Sequence, residues 1–343
     1  MTTVTSRTFR LGGTASNITV GAVAHGLMLM TWTPNPVSDE QAFEAIKAGV
    51  DALPSGTKAF LNSGEFYAID WGTANLQLLS RFYAKYPEYA DKTFISVKGG
   101  IRNGGPDGSM DCLRASVENI QRALGPNKKL DLFEPARIDP NTPVETIINN
   151  LVTLVKEGKF SHIGLSECNA NTLRKANAVH PVAVAEIEVS PWSYDENQKA
   201  VISTARELGV TVVAYSPLGR GYLTGQIKSA SDIPEGDLRS HFTRFQEEHF
   251  KSNWGIVEGL QSVAAKKGVT PAQLSIAWVA SLGPHMLPLP GSSKSSRTLE
   301  NLHAGDIKLT AEEIKAIDDI LAANPVVGDR YFGGPPEKLH LWG

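Results

Sequence analysis

The chain has 343 residues, 41% hydrophobic and 20% charged, with a formal net charge of −3, enough to bury a core as two ordinary domains or one large α/β barrel. That balance leaves no electrostatic footprint for nucleic acid or an anionic membrane, and no apolar run approaches the roughly 18–20 residues of a membrane span. The start MTTVTSRTFRLGG lacks an apolar signal core, and Cys112 and Cys168 form neither a disulfide framework nor a metal spacing, so the chain reads as reduced and cytoplasmic.

In chain order, TFRLGGT and NITV read as an N-terminal hairpin. Short apolar runs then recur as strands at 20–27, 58–62, 93–99, 130–134, 162–166, 183–189, 210–216 and 286–290. Between them lie helical patterns at 38–50, 72–86, 109–124, 143–157, 169–179, 196–208, 254–281 and 295–303. Ser38 followed by Asp39 and Glu40 is a helix start, Pro143 suits a first turn, and Gly158 and Gly209 suit helix ends. Strands alternating with helices imply parallel pairing through right-handed crossovers. Eight such units predict a (β/α)8 barrel, for which about 250 residues is usual. We expect one domain over 1–343, with the barrel at about 18–305 and a C-terminal helix and tail at 306–343. The tail, NPVVGDRYFGGPPEKLHLWG, either covers the barrel mouth or packs beside the last helix.

Such barrels carry their chemistry where the strands end, so the polar residues there are the informative ones. The second strand ends at Asn62 and its loop presents Tyr67; the third ends at Lys98. A lysine beside a tyrosine stabilises the phenolate and lowers a pKa normally near 10, which makes a proton donor to a developing alkoxide. The plain alternative is a loop anchor and a surface charge. After the seventh strand, Ser216-Pro217-Leu218-Gly219 forms a turn, and its amides with Arg220 suit a pyrophosphate. After the eighth, Gly291, Ser293 and Lys294 precede a helix carrying Arg297, a phosphate site or a simply well-capped helix. No GxGxxG follows a strand. His25 reads as a satisfied core histidine, Cys168 as a small hydrophobe, and Trp32 as an aromatic wall at the mouth. The helix AEEIKAIDDILAAN reads as a solvated amphipathic face.

In combination, GLMLMTW, NSGEFY, SVKGG, IGLSE, AYSPLGRGYLTG and PGSSKSSRTLENL resemble the aldo-keto reductases over about residues 7–322. The resemblance implies a single barrel that holds NADPH and reduces a small carbonyl substrate; charge, composition and residue spacing, as above, lead us to expect no metal, nucleic-acid or membrane partner. It makes Tyr67 the proton donor, tuned by Lys98, with Asn62 beside them. Thr31 and Trp32 would lie at the cofactor, Tyr215 would stack on the nicotinamide, and Ser166 and Glu186 would address its carboxamide. Ser216, Leu218, Gly219 and Arg220 would wrap the pyrophosphate. Gly291, Ser293, Arg297, Glu300 and Asn301 would hold the adenosine end, Arg297 favouring NADPH through the 2′-phosphate.

Two positions depart from that pattern: Asn62 stands where most of the family has aspartate, and Ala136 where it has histidine. MTWTPNP, the Asn62–Tyr67 segment and DLFEPARIDP narrow the resemblance to fungal pyridoxal reductases, implying reduction of pyridoxal to pyridoxine. Trp32, Tyr67, Ala136 and Arg137 would line the substrate pocket. Arg137 and Asp139 either contact a polar substrate or, more simply, form an ion pair at the mouth. Two rivals stand beside this reading: a general aldehyde or ketone reductase of a fungal pathway, and an NADPH-binding regulatory subunit with little turnover.

Overall fold

Side chains alternate between the two faces of a strand, and that rule organises the interior of this barrel. The computed structural model describes residues 5–334 and 336–343, so residues 1–4 and 335 of the expected domain lie outside the described residues. Its eight parallel barrel strands are β1 (His25–Gly26), β2 (Ala59–Gly64), β3 (Thr93–Gly99), β4 (Leu132–Pro135), β5 (His162–Ser166), β6 (Val184–Glu188), β7 (Thr211–Tyr215) and β8 (Met286–Leu289). They neighbour one another in chain order, and the ring closes where Ala24 and Gly26 donate backbone N–H groups to Pro288 (2.8 Å) and Pro290 (2.9 Å). The fold is the expected (β/α)8 barrel.

Phe60, Phe94, Leu132, Val184, Val213 and Leu287 point inward as an apolar layer, floored by Leu11 and Val20 of the N-terminal hairpin. Fully burying a side chain of this kind is worth about 1.5–3 kcal/mol, so the layer is a dry floor. Two residues further along the same strands come Asn62, Ser96, Glu134, Glu186 and Tyr215, and Lys98 lies one further step up β3. The period of two that makes the floor apolar therefore aims a polar layer into the barrel directly above it.

The helices between strands include α1 (Asp39–Asp51), α2 (Ala74–Lys85), α3 (Met110–Leu124), α4 (Val144–Lys156), α5 (Ala170–Val179) and α6 (Glu196–Leu208). Ser38 and Ser109 cap α1 and α3 by accepting from Gln41 N–H and Cys112 N–H. Two expectations need correction. The run 20–27 is not one strand: Thr19–Gly21 pairs antiparallel with Thr8–Arg10, with Val20 opposite Phe9, and only His25–Gly26 joins the barrel. The helix expected over 254–281 is two, α7 (Trp254–Lys267) and α8 (Pro271–Ser281). Gly268 at φ 75° ends the first, and the Thr270–Gln273 capping box followed by Pro271 starts the second. Helices α9 (Ser295–His303) and α10 (Ala311–Ala323) follow, and the tail then returns to the barrel mouth.

Candidate active site

Tyr67 is held from two sides before its hydroxyl is considered. Its carbonyl accepts from Thr31 Oγ1 (2.7 Å), and the Thr31 hydroxyl accepts from Asn75 Nδ2 (2.8 Å). Asn75, at the start of α2, also donates to Leu27 O (2.9 Å) and accepts from Ser63 Oγ (2.7 Å). Thr31, expected at the cofactor, is thus the anchor that ties the first loop to the second. Glu65 fastens the other end: its N–H donates to Lys98 O (2.8 Å), and its carboxylate accepts from Ser116 and Asn119 of α3. Gly64 makes room, because a Cβ there would lie 2.6–2.9 Å from atoms of the Tyr67 ring.

Inside the mouth, Lys98 Nζ donates to the Tyr67 hydroxyl (3.0 Å) and to Asn62 Oδ1 (3.0 Å) and is ion-paired with Glu186. Asn62 Nδ2 in turn donates to Glu186 Oε2 (2.7 Å) and Glu134 Oε1 (3.4 Å). Tyr67, Lys98 and Asn62 therefore meet, as expected of them. Glu186, expected at a carboxamide, is ion-paired here with the lysine. Glu134 went unnoticed in the sequence, although it follows inward-facing Leu132 by two and pairs in register with Lys98.

The phenol's acidity corrects the sequence reading. Burial raises the Tyr67 pKa; Lys98 pulls it down, but Glu186 and Glu134 push it up again, and the outcome is above the ordinary value of 10.0. Burial alone would lower Lys98, yet Glu186, Tyr67 and Glu134 outweigh it and hold the ammonium charged. The pair is a proton-bearing phenol beside a permanent cation, suited to donating a proton rather than to carrying a phenolate.

An aromatic wall flanks the hydroxyl. Trp32 packs against Phe66 (ring centroids 6.0 Å apart), Tyr67 (5.7 Å) and Trp71 (5.4 Å), with Trp71 59% exposed at the rim. Ala136 is buried where the histidine would stand. Arg137 does not pair with Asp139. Asp139 instead accepts from Gly108 N–H, Asn141 N–H and Thr142 Oγ1 and ties down the loops, while Arg137 Nη1 donates to Ala136 O (2.6 Å). Arg137 is half-buried and faces the field of Tyr331, Tyr215 and Glu167.

The side of the mouth formed by β5–β7 is closed by a charge lock absent from the sequence reading. Arg330 of the tail donates to Glu167 (3.0 and 3.1 Å), Glu188 (3.0 Å) and the Tyr215 hydroxyl (3.0 Å). Tyr215 donates to Glu167 (2.8 Å), so the ring expected to stack on a nicotinamide has its hydroxyl edge pinned. Arg220, expected on a pyrophosphate, is ion-paired with Glu188 (2.8 Å) and stacked between the Phe242 and Tyr331 rings, 4.6 and 4.5 Å from their centroids. Ser216 and Gly219 lie in the turn before it with φ of 52° and 54°, and Leu218 packs against the small apolar cluster that includes Val23 and Leu302. Asn169 closes the corner by donating its N–H to Gly343 O (3.1 Å) and its side-chain amide to Trp342 O (2.9 Å). The tail covers the mouth.

At the far end, exposed Gly291 precedes α9, Ser293 O accepts from Gln41 Nε2 (2.9 Å), and Arg297 is exposed beside Gln226 (3.4 Å). Asn301 is buried; Glu300 accepts from Thr270 Oγ1 (2.7 Å) and is tied to the cap of α8. His25 is a buried core histidine whose Nε2 shares a hydrogen bond with Ser292 O (2.8 Å) and whose pKa burial lowers, but its Nδ1 has no hydrogen-bond partner among the described residues, so it is satisfied at one nitrogen only. Cys168 is fully buried, and burial pushes its thiol up to about 12. Among the described residues no His/Cys/Asp/Glu group could hold a metal ion, and no helix is long and apolar enough to cross a membrane.

The model of the "Aldo/keto reductase family" matches residues 22–322. "Probable pyridoxal reductase 2" of Schizosaccharomyces pombe is 35% identical over 319 residues, covering 91% of this chain and 95% of the relative. "Aldo-keto reductase yakc [NADP(+)]" of the same organism is 34% identical over 333 residues, covering 95% of each. A glycerol dehydrogenase from Gluconobacter oxydans superposes with a TM-score of 0.79 at 24% identity, over 95% of this chain and 99% of that one, a likeness of fold. With a buried tyrosine–lysine pair at the C-terminal mouth of an eight-stranded barrel and a family match along most of its length, the chain belongs to the aldo/keto reductases, NAD(P)-dependent oxidoreductases.

Proposed function

We propose that the protein is an NADPH-dependent reductase of aromatic aldehydes, with pyridoxal, reduced to pyridoxine, as the foremost substrate. The observation that carries this reading is the Tyr67 hydroxyl, 3.0 Å from the Lys98 ammonium and walled by Trp32, Phe66 and Trp71, with no histidine at 136. A flat heteroaromatic ring suits such a wall. Ala136 offers no group to polarise the carbonyl, whereas pyridoxal carries a 3-hydroxyl beside its aldehyde that does so internally. Arg137, with only a backbone carbonyl as hydrogen-bond partner among the described residues, would take a polar substituent of that ring.

The residues present fit a nicotinamide. Ser166 Oγ is fully buried and has no partner among the described residues, an expense of about 1–3 kcal/mol that a bound carboxamide would remove. Arg297, exposed in the first turn of α9 after Gly291 and Ser293, would meet a 2′-phosphate, which supports NADPH over NADH. Bound there, the cofactor supplies the hydride. The chain's own part is to orient the carbonyl against the wall, exclude water over the dry floor, and deliver the Tyr67 proton to the carbonyl oxygen.

The test follows NADPH absorbance with pyridoxal, pyridoxal methylated at the 3-hydroxyl, and nitrobenzaldehyde. Pyridoxal turned over well above the others supports the proposal; equal rates for pyridoxal and its methyl ether, at equal binding, remove the internal-polarisation argument. NADPH bound tightly but not consumed across an aldehyde panel would replace the proposal with the regulatory reading.

A further inference from the structure

Asn62 looks like a lost catalytic charge, but the atoms around it say otherwise. Lys98 is buried, and a buried ammonium without a counter-charge is strongly disfavoured. Its carboxylate partner comes from across the barrel: Glu186 on β6 is ion-paired with Nζ. The Asn62 amide lies between them, its oxygen accepting from Lys98 (3.0 Å) and its nitrogen donating to Glu186 Oε2 (2.7 Å) and Glu134 Oε1 (3.4 Å). An aspartate at 62 has no donor for either carboxyl and would be a third acid beside one cation.

We propose that Glu186 and Glu134 form a carboxyl pair holding one proton between them, which supplies the counter-charge of Lys98 in place of a residue on β2 and positions its ammonium against Tyr67. The two carboxyl groups are both buried and share one donor, the Asn62 amide nitrogen, 2.7 Å from Glu186 Oε2 and 3.4 Å from Glu134 Oε1. Two carboxylates and one ammonium would leave a net negative charge on the dry floor, whereas one retained proton makes the cluster neutral. Glu134 is the site for that proton. Its Oε1 accepts from Ser96 Oγ (2.9 Å), its Oε2 has no donor among the described residues, and Glu186 has the shorter contact with the lysine. Burial first, and then Glu186, hold the Glu134 carboxyl well above its ordinary range. The titratable groups facing the pair are Lys98 on β3, Tyr67 on the loop after β2, and the Cys168 thiol after β5. Glu186 and Glu134 are positioning residues, because they act on the carbonyl only through Lys98 and Tyr67.

The inference rests on the reductase reading but not on pyridoxal, so it is tested on nitrobenzaldehyde. Wild type, Glu134→Gln/Glu186→Gln and Asn62→Asp/Glu134→Gln/Glu186→Gln are compared for kcat against pH. Their NADPH dissociation constants, and the ultraviolet titration of Tyr67 without cofactor with Tyr67→Phe as the blank, are read alongside. The double variant should lose about 100-fold in kcat, the scale of an acid–base contribution, keep its NADPH dissociation constant within about threefold, and shift the Tyr67 titration. Returning a carboxylate to β2 should recover at least about tenfold of kcat and move the titration back. If the double variant does not fold, Glu186→Gln against Asn62→Asp/Glu186→Gln reads the same rescue. An unshifted titration in the double variant overturns the proposal. So does failure of Asn62→Asp to restore, or a loss confined to NADPH affinity, which would put Glu186 on the cofactor instead. If wild type reduces no aldehyde, the proposed function fails by itself, and the cofactor-free titration still decides the carboxyl pair.

Discussion

Arg330 and Glu167 meet through two hydrogen bonds of 3.0 and 3.1 Å, one guanidinium against one carboxylate, although 163 residues separate them in the chain. Both are buried, and the contact fastens the tail over the ends of β5 and β6. Removing one member strands the other without a partner, which costs about 3–5 kcal/mol for a buried pair. Arg330→Ala should therefore lower Tm markedly and loosen the tail, read by thermal melts and by proteolysis near residue 326. An Arg330→Ala variant that melts with wild type would show the lock to be idle.

The same contact sets an acid limit. Burial opposes ionisation of Glu167, but Arg330 and Arg137 overcome it and bring the carboxyl down to about 2, from an ordinary 4.5. Because the folded value is the lower one, the stabilisation is fully present above the unfolded value and drains away as pH falls from about 4.5 towards 2. Urea midpoints measured through that window should fall in wild type and fall less steeply in Arg330→Ala.

Tyr67→Phe should cut reduction by about 10²–10⁴-fold, the contribution of a positioned acid, while NADPH binding followed by fluorescence stays near wild type. Because burial and the two glutamates hold the phenol above 10.0, it keeps its proton throughout the neutral range. The kcat for aldehyde reduction should then stay flat from neutral pH up to about 10. A basic limb near neutrality would contradict the assignment of Tyr67 as donor.

Gly64→Ala tests placement rather than chemistry. Its Cβ would fall 2.6–2.9 Å from the Tyr67 ring, so either the ring or the strand end must move. A displacement of about 1 Å can cost about 100-fold in rate. Steady-state kinetics should show that loss with NADPH affinity intact.

Arg137→Met keeps much of the side chain's bulk and removes its charge. If the guanidinium takes a polar group of the ring, KM for pyridoxal should rise about tenfold, about 1.4 kcal/mol, on the scale of one charged hydrogen bond. KM for nitrobenzaldehyde should barely change. An equal rise for both would make Arg137 a structural residue of the mouth.

The barrel was legible because its signal is local and repeated. Apolar runs, helix ends such as Ser38 and Gly209, and a period of two along Phe60–Asn62 and Phe94–Ser96–Lys98 are properties of neighbouring residues. Strand ends could be located in the same way, and with them Tyr67, Lys98 and Asn62. Glu134 was within reach of the same alternation, two past Leu132, and passed unseen beside the more conspicuous Ala136.

Pattern in the chain thus determined the fold class, the end that bears the chemistry, and a phenol and an ammonium brought to one mouth. Tertiary structure alone decided how the charges there are shared. Glu186 pairs with the lysine, Arg220 with Glu188, and the tail's Arg330 with Glu167. The physical reason is that a buried charge takes whichever partner lies nearest in space, and closing the barrel brings together residues far apart along the chain.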